Sequence, residues 1–364
     1  SSGAFVGLNN VSITGSYYDT STSGSLPGVG TGSSSGLTGN ATAAMKTQAT
    51  FVGWDFTNIW QIIPGTTYPY FKFSTYQPIS PFFLTLTATG ATACGSVHVL
   101  KNGVDFKTFT ADGSGNVVFT FDSGEVAAND NLIAFIPANT TVGNLIFTLP
   151  TTTAILSGVS FVTNTVNVAS PSGAVSASIS GIATGRGSVV DTGLLFTASG
   201  GNLTLTSAKN FALIAANTLT LNGNITTSGG GTITLAGPVT LSTGSTLSTT
   251  AAGAITISST LNSNVAGSNA LVLSGTNISI TGAIGGTTKP LSVSVTGTGT
   301  IGVVNVGTTG AQSYNATTST TLSGTSYVTS GGTFGVTGAA LLGANLTIDT
   351  TNAGGTAAGA NISF

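Results

Sequence analysis

The chain has 364 residues, of which only 7 are Lys or Arg and 9 are Asp or Glu, so charged residues make up 4% of the sequence, against about 25% in an ordinary soluble domain. The formal net charge of −2 and the lack of a basic cluster exclude a nucleic-acid binder, and no apolar run reaches the roughly 18 residues that a membrane-spanning helix needs. Cys94 is the only cysteine, which excludes an internal disulfide, and the frequent Val, Ile, Leu and Phe exclude a disordered chain.

The first predicted domain, residues 1–77, is distinguished by its aromatic residues, which include both tryptophans of the chain. Such side chains can stack on sugar rings, because aromatic rings offer a large contact area. They can also close the end of a preceding stack of β-coils, where strand edges and apolar core would otherwise be exposed to other chains. We favour the cap. The capping or interaction residues are Trp54, Phe56, Trp60, Tyr68 and Tyr70, with Phe71 and Phe73 beside them.

The second predicted domain, residues 78–156, contains most of the remaining charge. Apolar and polar residues alternate in several short runs, as expected of strands that bury one face. Lys101-Asn102-Gly103 carries an Asn-Gly hairpin signal, and residues 111–115 carry a second turn. Short strands spaced about 8–12 residues apart are typical of an immunoglobulin-like β-sandwich, and we predict a small one here. The runs are residues 83–87, 96–100, 116–121 and 144–149.

The titratable residues of this domain favour structural roles. His98, the only histidine, lies on a predicted strand and is expected to face outward rather than to act as a catalyst. Calcium is a better metal hypothesis than zinc, because carboxylates are its preferred ligands. The carboxylates match no calcium-loop spacing, so solvated turn residues are the favoured interpretation and we predict no metal and no cofactor. These carboxylates are Asp105, Asp112, Asp122, Glu125 and Asp130.

The third predicted domain, residues 157–364, repeats a short unit in which two apolar residues flank Thr, Ser or Val and Gly, Asn or Ser follows. Two inward apolar side chains per unit and a Gly or Asn corner predict coils that stack into a β-solenoid. An array of two-sheet sandwiches is the alternative, no helical period competes, and the irregular spacing leaves the coil length open. The predicted strands are residues 203–205, 219–221, 233–235, 239–241, 255–257, 271–273, 278–280 and 293–295.

Two groups of motifs carry a family resemblance. In the first domain they are residues 15–24, 36–38, 45–46, 51–56, 59–62 and 65–70, and in the third they are residues 224–231 and 310–315. Together they resemble large bacterial exoproteins of the filamentous-haemagglutinin type, the first group being similar to the end of a GLUG-type repeat array and the second to a strand-rich stalk. The resemblance implies export by a partner outer-membrane pore or as an autotransporter, and a role in adhesion, aggregation or biofilm formation.

These observations predict an all-β, non-catalytic, extracellular protein of the bacterial cell surface that acts as an adhesin or a stalk. The alternative is a structural subunit of an extracellular filament or sheath that assembles through strand edges. Expected partners are further copies of the chain, other surface proteins or glycans. Among enzymes, a polysaccharide-cleaving one is the class considered, but the third domain offers it only Asp191 and Asp349 as carboxylates. The start at Ser1, without Met or signal peptide, indicates a portion of a longer protein.

Overall fold

The chain is all-β, with two short α-helices and one 3-10 helix among the described residues. The computed structural model describes residues 2–24, 26–62, 64–65, 67–72, 84–93, 95–121, 125–127, 130–148, 155–170, 177–215, 217–355 and 358–364, with backbone only for 84–87 and 155–158. Two compact units are present, residues 1–83 with 121–125 and residues 84–120 with 126–364. None of the described helices combines the length and the apolar character needed to cross a membrane.

The first unit pairs short strands that are distant in sequence. β1 pairs with β3 and β2 with β4, both in parallel, whereas β5 and β6 form an antiparallel pair. Parallel pairing of this kind lays one turn of chain on another, as in a coil. The elements are β1 Val6–Asn9, β2 Ser16–Asp19, β3 Val29–Gly32, β4 Leu37–Asn40, α1 Thr42–Met45, a 3-10 helix Gln48–Thr50, β5 Trp60–Gln61 and β6 Tyr70–Phe71.

The second unit contains an antiparallel hairpin near its start, as the sequence predicts. Asn102 and Gly103 adopt φ angles of 52° and 76°, the left-handed values that a two-residue type I′ turn requires. They connect the paired strands β8 and β9. The strands of this part are β7 Leu84–Thr89, β8 Ser96–Lys101, β9 Val104–Thr110, β10 Val117–Phe121, β11 Leu132–Phe135, β12 Asn144–Phe147, β13 Ile155–Ser160 and β14 Thr165–Val168.

These strands lead directly into the third predicted domain. β8 pairs with β11 and β11 with β12 in antiparallel fashion, and β12 then pairs in parallel with β14. β7 lies between β10 and β13 in a separate three-stranded sheet. The pairing therefore shows an antiparallel start to a longer sheet. It does not show an immunoglobulin-like sandwich, which stays a prediction.

The rest of the second unit consists of short strands with one helix among them. The elements are β15 Ala177–Ser178, α2 Ile179–Arg186, β16 Phe196–Ser199, β17 Asn202–Leu205, β18 Asn210–Leu213, β19 Leu219–Leu221, β20 Ile225–Thr227, β21 Ile233–Leu235, β22 Val239–Leu241, β23 Ser245–Thr249, β24 Ala254–Ile257, β25 Leu261–Ser263, β26 Ala270–Gly275, β27 Asn277–Ile280, β28 Ser292–Gly297, β29 Thr300–Val303, β30 Val306–Gly307, β31 Gln312–Ala316, β32 Ser319–Leu322, β33 Ser326–Val328, β34 Phe334–Thr337, β35 Ala340–Leu342, β36 Thr347–Asp349 and β37 Ile362–Ser363. All eight strands predicted from the repeat are present.

Three sheets, parallel apart from their first strands, enclose the core, so the predicted β-solenoid is confirmed and the sandwich array is not the arrangement adopted. Sheet I has the order β9-β8-β11-β12-β14-β18-β21-β24-β27-β29-β32-β35. Sheet II runs β15-β19-β22-β25 and then β30-β33-β36, joined through single parallel bridges at Ile284. Sheet III has the order β16-β17-β20-β23-β26-β28-β31-β34-β37. From β20 onwards the chain visits sheets III, I and II in turn, which makes each coil three-sided.

Burial alternates along the strands from β17 to β34, as the repeat predicts. In β17, Leu203 and Leu205 are 0% and 2% exposed, and Thr204 between them faces solvent. Buried threonines close the corner between sheets III and I: Thr227 Oγ1 donates to the Gly231 carbonyl at 2.7 Å. This hydrogen bond satisfies a hydroxyl in the core, where an unpaired polar group would be costly.

Asparagines at the coil corners fix the register between coils. Asn202 Oδ1 accepts from the Asn224 amide, and Asn224 Oδ1 accepts from the Thr246 amide, each at 2.8 Å and 22 residues along the chain. The corresponding step is 23 residues from Asn277 to Thr300. The coil length that the sequence left open is therefore close to 22 residues, with variation in the corners.

Helix α2 corrects the expectation that no helix interrupts the third domain. Ser178 caps it by accepting a hydrogen bond from the Gly181 amide, and Ile182 is fully buried in the core. Its two glycines are poor helix formers, but they permit close packing: a Cβ at Gly185 would lie 2.8 Å from the Asn131 carbonyl oxygen. Because α2 contacts β11, β15 and β17, it covers core residues of all three sheets at the first coil. Tertiary packing rather than local propensity forms this helix.

Candidate functional site

The aromatic residues of the first unit gather around Phe51, which is only 3% exposed. Its ring centroid lies 5.0 Å from that of Tyr17, 5.1 Å from that of Trp54 and 6.2 Å from that of Phe56. Tyr17 belongs to β2, so the cluster joins a parallel strand to the segment that follows α1. Edge-to-face and tilted contacts of this kind add about 0.5–1.5 kcal/mol per pair beyond burial. The sequence places Tyr17 in a resemblance motif but not among the predicted capping residues, since only the fold brings it to this segment.

Two further rings extend the cluster as a row. Trp60 lies 4.3 Å from Trp54 and 4.3 Å from Phe71 between ring centroids, the latter pair stacked. Trp54 Nε1 donates to the Gly15 carbonyl at 2.8 Å, which fixes the indole at the inner end of the row. Phe71, at the outer end, is 46% exposed. The row thus offers one solvent-facing ring, while its inner end packs onto Phe51. Its role as a cap or as a sugar-stacking surface stays a prediction.

The two predicted tyrosines lie beside this row in different roles. Tyr68 donates its hydroxyl to Asp19 Oδ2 at 2.6 Å, and Thr42 Oγ1 donates to the same oxygen at 2.6 Å. Burial and the neighbouring Asp19 carboxylate raise the pKa of Tyr68 to about 12. Tyr70 lies in β6 opposite Gln61 of β5. Tyr68 therefore connects β2 to the later segment by a charge-assisted hydrogen bond.

The titratable residues of the second predicted domain lie in strands and turns. His98 is partly buried and its Nδ1 lies 2.6 Å from Asp105 Oδ2, and Lys101 Nζ lies 2.9 Å from Asp130 Oδ2. Asp112 accepts hydrogen bonds within its own turn, and those from Asn116 chiefly hold the pKa of Asp112 below its usual value. Glu125 lies in a turn. No three His, Cys, Asp or Glu side chains gather in the part of the chain that the structure describes. Phe73, Cys94 and Asp122 lie outside the described residues.

The two carboxylates considered as catalytic residues each accept hydrogen bonds in a separate turn. Asp191 Oδ1 accepts from the Ala138 amide at 2.8 Å and from the Gly193 amide at 2.7 Å. Asp349 accepts from the hydroxyl and amide of Thr351 and from the amide of Ala353, and the hydrogen bond from the Thr351 hydroxyl chiefly holds the pKa of Asp349 below its usual value. Both carboxylates therefore have structural partners in their turns.

The outer face of sheet III carries a row of uncharged polar side chains. Parallel register places one such residue on each strand from β17 to β34, and adjacent strands in a sheet lie about 4.8 Å apart. The outward Thr and Ser could be predicted from the repeat, but their alignment into a row depends on the register. The row consists of Thr204, Thr226, Ser248, Ser274, Thr296, Asn315 and Thr337. This face offers repeated hydroxyl and amide groups without charge.

Comparison of the chain with known protein families, with curated proteins and with solved structures finds no match.

Proposed function

We propose that this chain is a segment of an extracellular bacterial surface protein of the filamentous-haemagglutinin type, and that it acts without catalysis as an adhesive stalk. The observation that carries the proposal is the unbroken pairing of sheet III through nine strands. At about 4.8 Å per strand, this sheet extends over roughly 40 Å along the coil stack. Each coil is stabilised by its neighbours, so the stack resists bending. Such an element suits a spacer that holds binding surfaces away from a cell.

The polar character of the coils supports an interfacial role. The strands of sheet III contain no Asp, Glu, Lys or Arg, so long-range electrostatic steering contributes little to their encounters with partners. Binding would then depend on many short-range contacts repeated along the face. Adhesion through repeated weak contacts gains strength from multivalency.

A bead-retention assay tests this function. Beads coated with the folded 364-residue chain should be retained under flow on epithelial monolayers or on surfaces coated with the same chain. Beads coated with chain that was unfolded in denaturant are the control. Equal retention of the two would contradict adhesion by the folded coils. Release of reducing ends from a polysaccharide, lost on Asp191→Asn or Asp349→Asn, would contradict the non-catalytic role.

The second candidate function is a filament or sheath subunit. The strands β35, β36 and β37 lie at the edges of their sheets. Exposed apolar side chains lie on or next to two of them, with Leu342 68% and Phe364 63% exposed. Sheet edges and apolar side chains of this kind favour pairing with a further strand, and in a filament a second copy of the chain would supply that strand. Electron microscopy separates the two candidates: fibres with a fixed axial repeat would favour the filament, and single particles that still retain beads would favour the adhesive stalk.

A further inference from the structure

A shallow groove lies on the outer face of sheet I, on the strands β24, β27, β29 and β32. Its volume is about 350 Å³. The groove exists because Ala254 and Gly302 occupy outward positions with little or no side chain, whereas their neighbours carry larger ones. A Cβ built at Gly302 would have no atom within 4 Å, so the space above this glycine is open.

Hydroxyl groups line one side of the groove. Register pairs place Thr256, Ser279, Gly302 and Thr321 in a single row across the four strands. The hydroxyls of these three polar residues make no hydrogen bond to any described part of the chain. They are therefore available to a ligand, and the missing side chain at Gly302 leaves a gap in the row.

An ordered amide lies on the other side. Asn277 Oδ1 accepts from the backbone amide of Thr300 at 3.0 Å and from its hydroxyl at 3.1 Å. These two hydrogen bonds fix the orientation of the amide group. Asn277 is itself exposed, so its Nδ2 can donate to a ligand in the groove. A fixed donor costs less conformational entropy on binding than a mobile one.

The groove carries no charge. The strands β21, β24, β27, β29, β32 and β35 contain no Asp, Glu, Lys or Arg. A sulfated or carboxylated polymer would lose hydration here without gaining an ion pair. An uncharged ligand with many hydroxyls meets complementary donors and acceptors at no such cost.

We propose that the groove around Gly302 binds an uncharged polysaccharide chain that runs across β24, β27, β29 and β32. The row repeats about every 4.8 Å, close to the spacing of successive sugar rings in an extended polysaccharide. Neighbouring rings can therefore meet neighbouring hydroxyls. The inference rests on the proposed adhesive function and names the chemistry of one partner.

The test measures binding of cellohexaose, a neutral glucan oligosaccharide, to the full chain by NMR titration or calorimetry. Gly302→Thr fills the groove, and since β-branched residues suit strands, this variant should fold. It should weaken cellohexaose binding about tenfold or more, which corresponds to 1.4 kcal/mol. Thr321→Val, which keeps the shape and removes a hydroxyl, should weaken it by a smaller factor. Gly335→Thr, on the outer face of sheet III, is the control and should bind like the wild type; the Cβ it adds lies 3.2 Å from the Ser363 side-chain oxygen, which can rotate away.

Three results would overturn the inference: no binding of cellohexaose at millimolar concentration, binding unchanged by both groove variants, or tighter binding of heparin than of cellohexaose. Circular dichroism of each variant verifies that the coils are intact, and Thr321→Val decides the outcome if Gly302→Thr does not fold. Wild-type beads that are retained in the flow assay while the chain binds no cellohexaose would remove this inference and leave the adhesive function standing. If beads coated with the wild-type chain are not retained under flow, the adhesive function itself is contradicted.

Discussion

The two units both lay parallel strands on one another, but different interactions stabilise them. In the first unit β2 is only half-buried along its length, and a few specific contacts connect it to later residues, such as the ring of Tyr17 on Phe51 and the hydrogen bond of Tyr68 to Asp19. In the second unit the strands from β17 to β34 bury every other residue, mostly apolar ones, and a similar layer repeats from coil to coil. Parallel pairing of successive turns of the chain can therefore be stabilised in two ways. A few large side chains stabilise it in the first unit, and a small apolar layer repeated on each coil stabilises it in the second.

The largest effect is expected from a charge inside the repeated layers. Ile255→Asp places an unpaired carboxylate at a fully buried position, which should cost at least about 4 kcal/mol and disrupt the adjoining coils. Thr256→Asp, one residue later on the outward side, should change the free energy of unfolding by less than about 0.5 kcal/mol. Chemical denaturation followed by far-UV circular dichroism measures both. Equal effects would contradict the inward and outward assignment of β24.

A somewhat smaller loss is expected at the centre of the aromatic cluster. Phe51→Ala removes a ring that is 3% exposed and should cost about 3–5 kcal/mol. Both tryptophans of the chain, Trp54 and Trp60, lie in this cluster, so their fluorescence reports on the first unit. Val52→Ala, at a position 77% exposed, is the control and should leave the fluorescence transition in place. If the Phe51→Ala variant unfolds at the same midpoint as the wild type, the stability of the first unit does not depend on this large side chain.

An intermediate effect is expected at the corners of the coils. Asn224→Ala leaves the Thr246 amide without its partner at 2.8 Å and should cost about 1–2 kcal/mol. Asn315, in contrast, is exposed on the outer face of sheet III, and Asn315→Ala should be nearly neutral. If urea midpoints show the two variants to be equally stable, the corner asparagines do not fix the register.

The smallest effect is a pH dependence of the first unit, which the fluorescence of its tryptophans follows. The pKa of Tyr68 is raised from 10.0 to about 12, chiefly by burial and then by Asp19. The folded state therefore holds the phenol proton more tightly than the unfolded chain does, so this stabilisation is complete below pH 10.0 and is lost as the pH rises towards 12. The denaturation midpoint measured by tryptophan fluorescence should fall as the pH rises over this range. Tyr68→Phe should reduce that fall, and an unchanged slope in the variant would contradict the assignment.

The sequence predicted those parts of the fold that depend on neighbouring residues. The Asn102-Gly103 hairpin and the eight repeat strands could be predicted because turn chemistry and alternation are local signals. β20 was missed, since its second inward residue is Thr227, whose hydroxyl is satisfied at the corner rather than by apolar contact. Helix α2 was not predicted, because its two glycines lower the local helix propensity and tertiary packing stabilises the helix.

The candidate sites could be predicted only in part. The grouping of Trp54, Phe56 and Trp60 follows from their closeness in sequence, whereas Tyr17 joins them through the pairing of distant strands. The groove at Gly302 could not be predicted, because an outward glycine becomes a gap only when the register places Ser279 and Thr321 beside it.

The most direct test of the stacked-coil account is a pair of disulfide cross-links made in a Cys94→Ser background. Thr226 and Ser248 are register partners on adjacent strands, which lie about 4.8 Å apart, within the Cα separation that a disulfide spans. Ser274 lies one strand further along the row, about 9.6 Å from Thr226 and beyond that reach. Thr226→Cys with Ser248→Cys should oxidise readily, and Thr226→Cys with Ser274→Cys should not. Equal oxidation of both pairs, or oxidation of the second alone, would contradict the stacked coils.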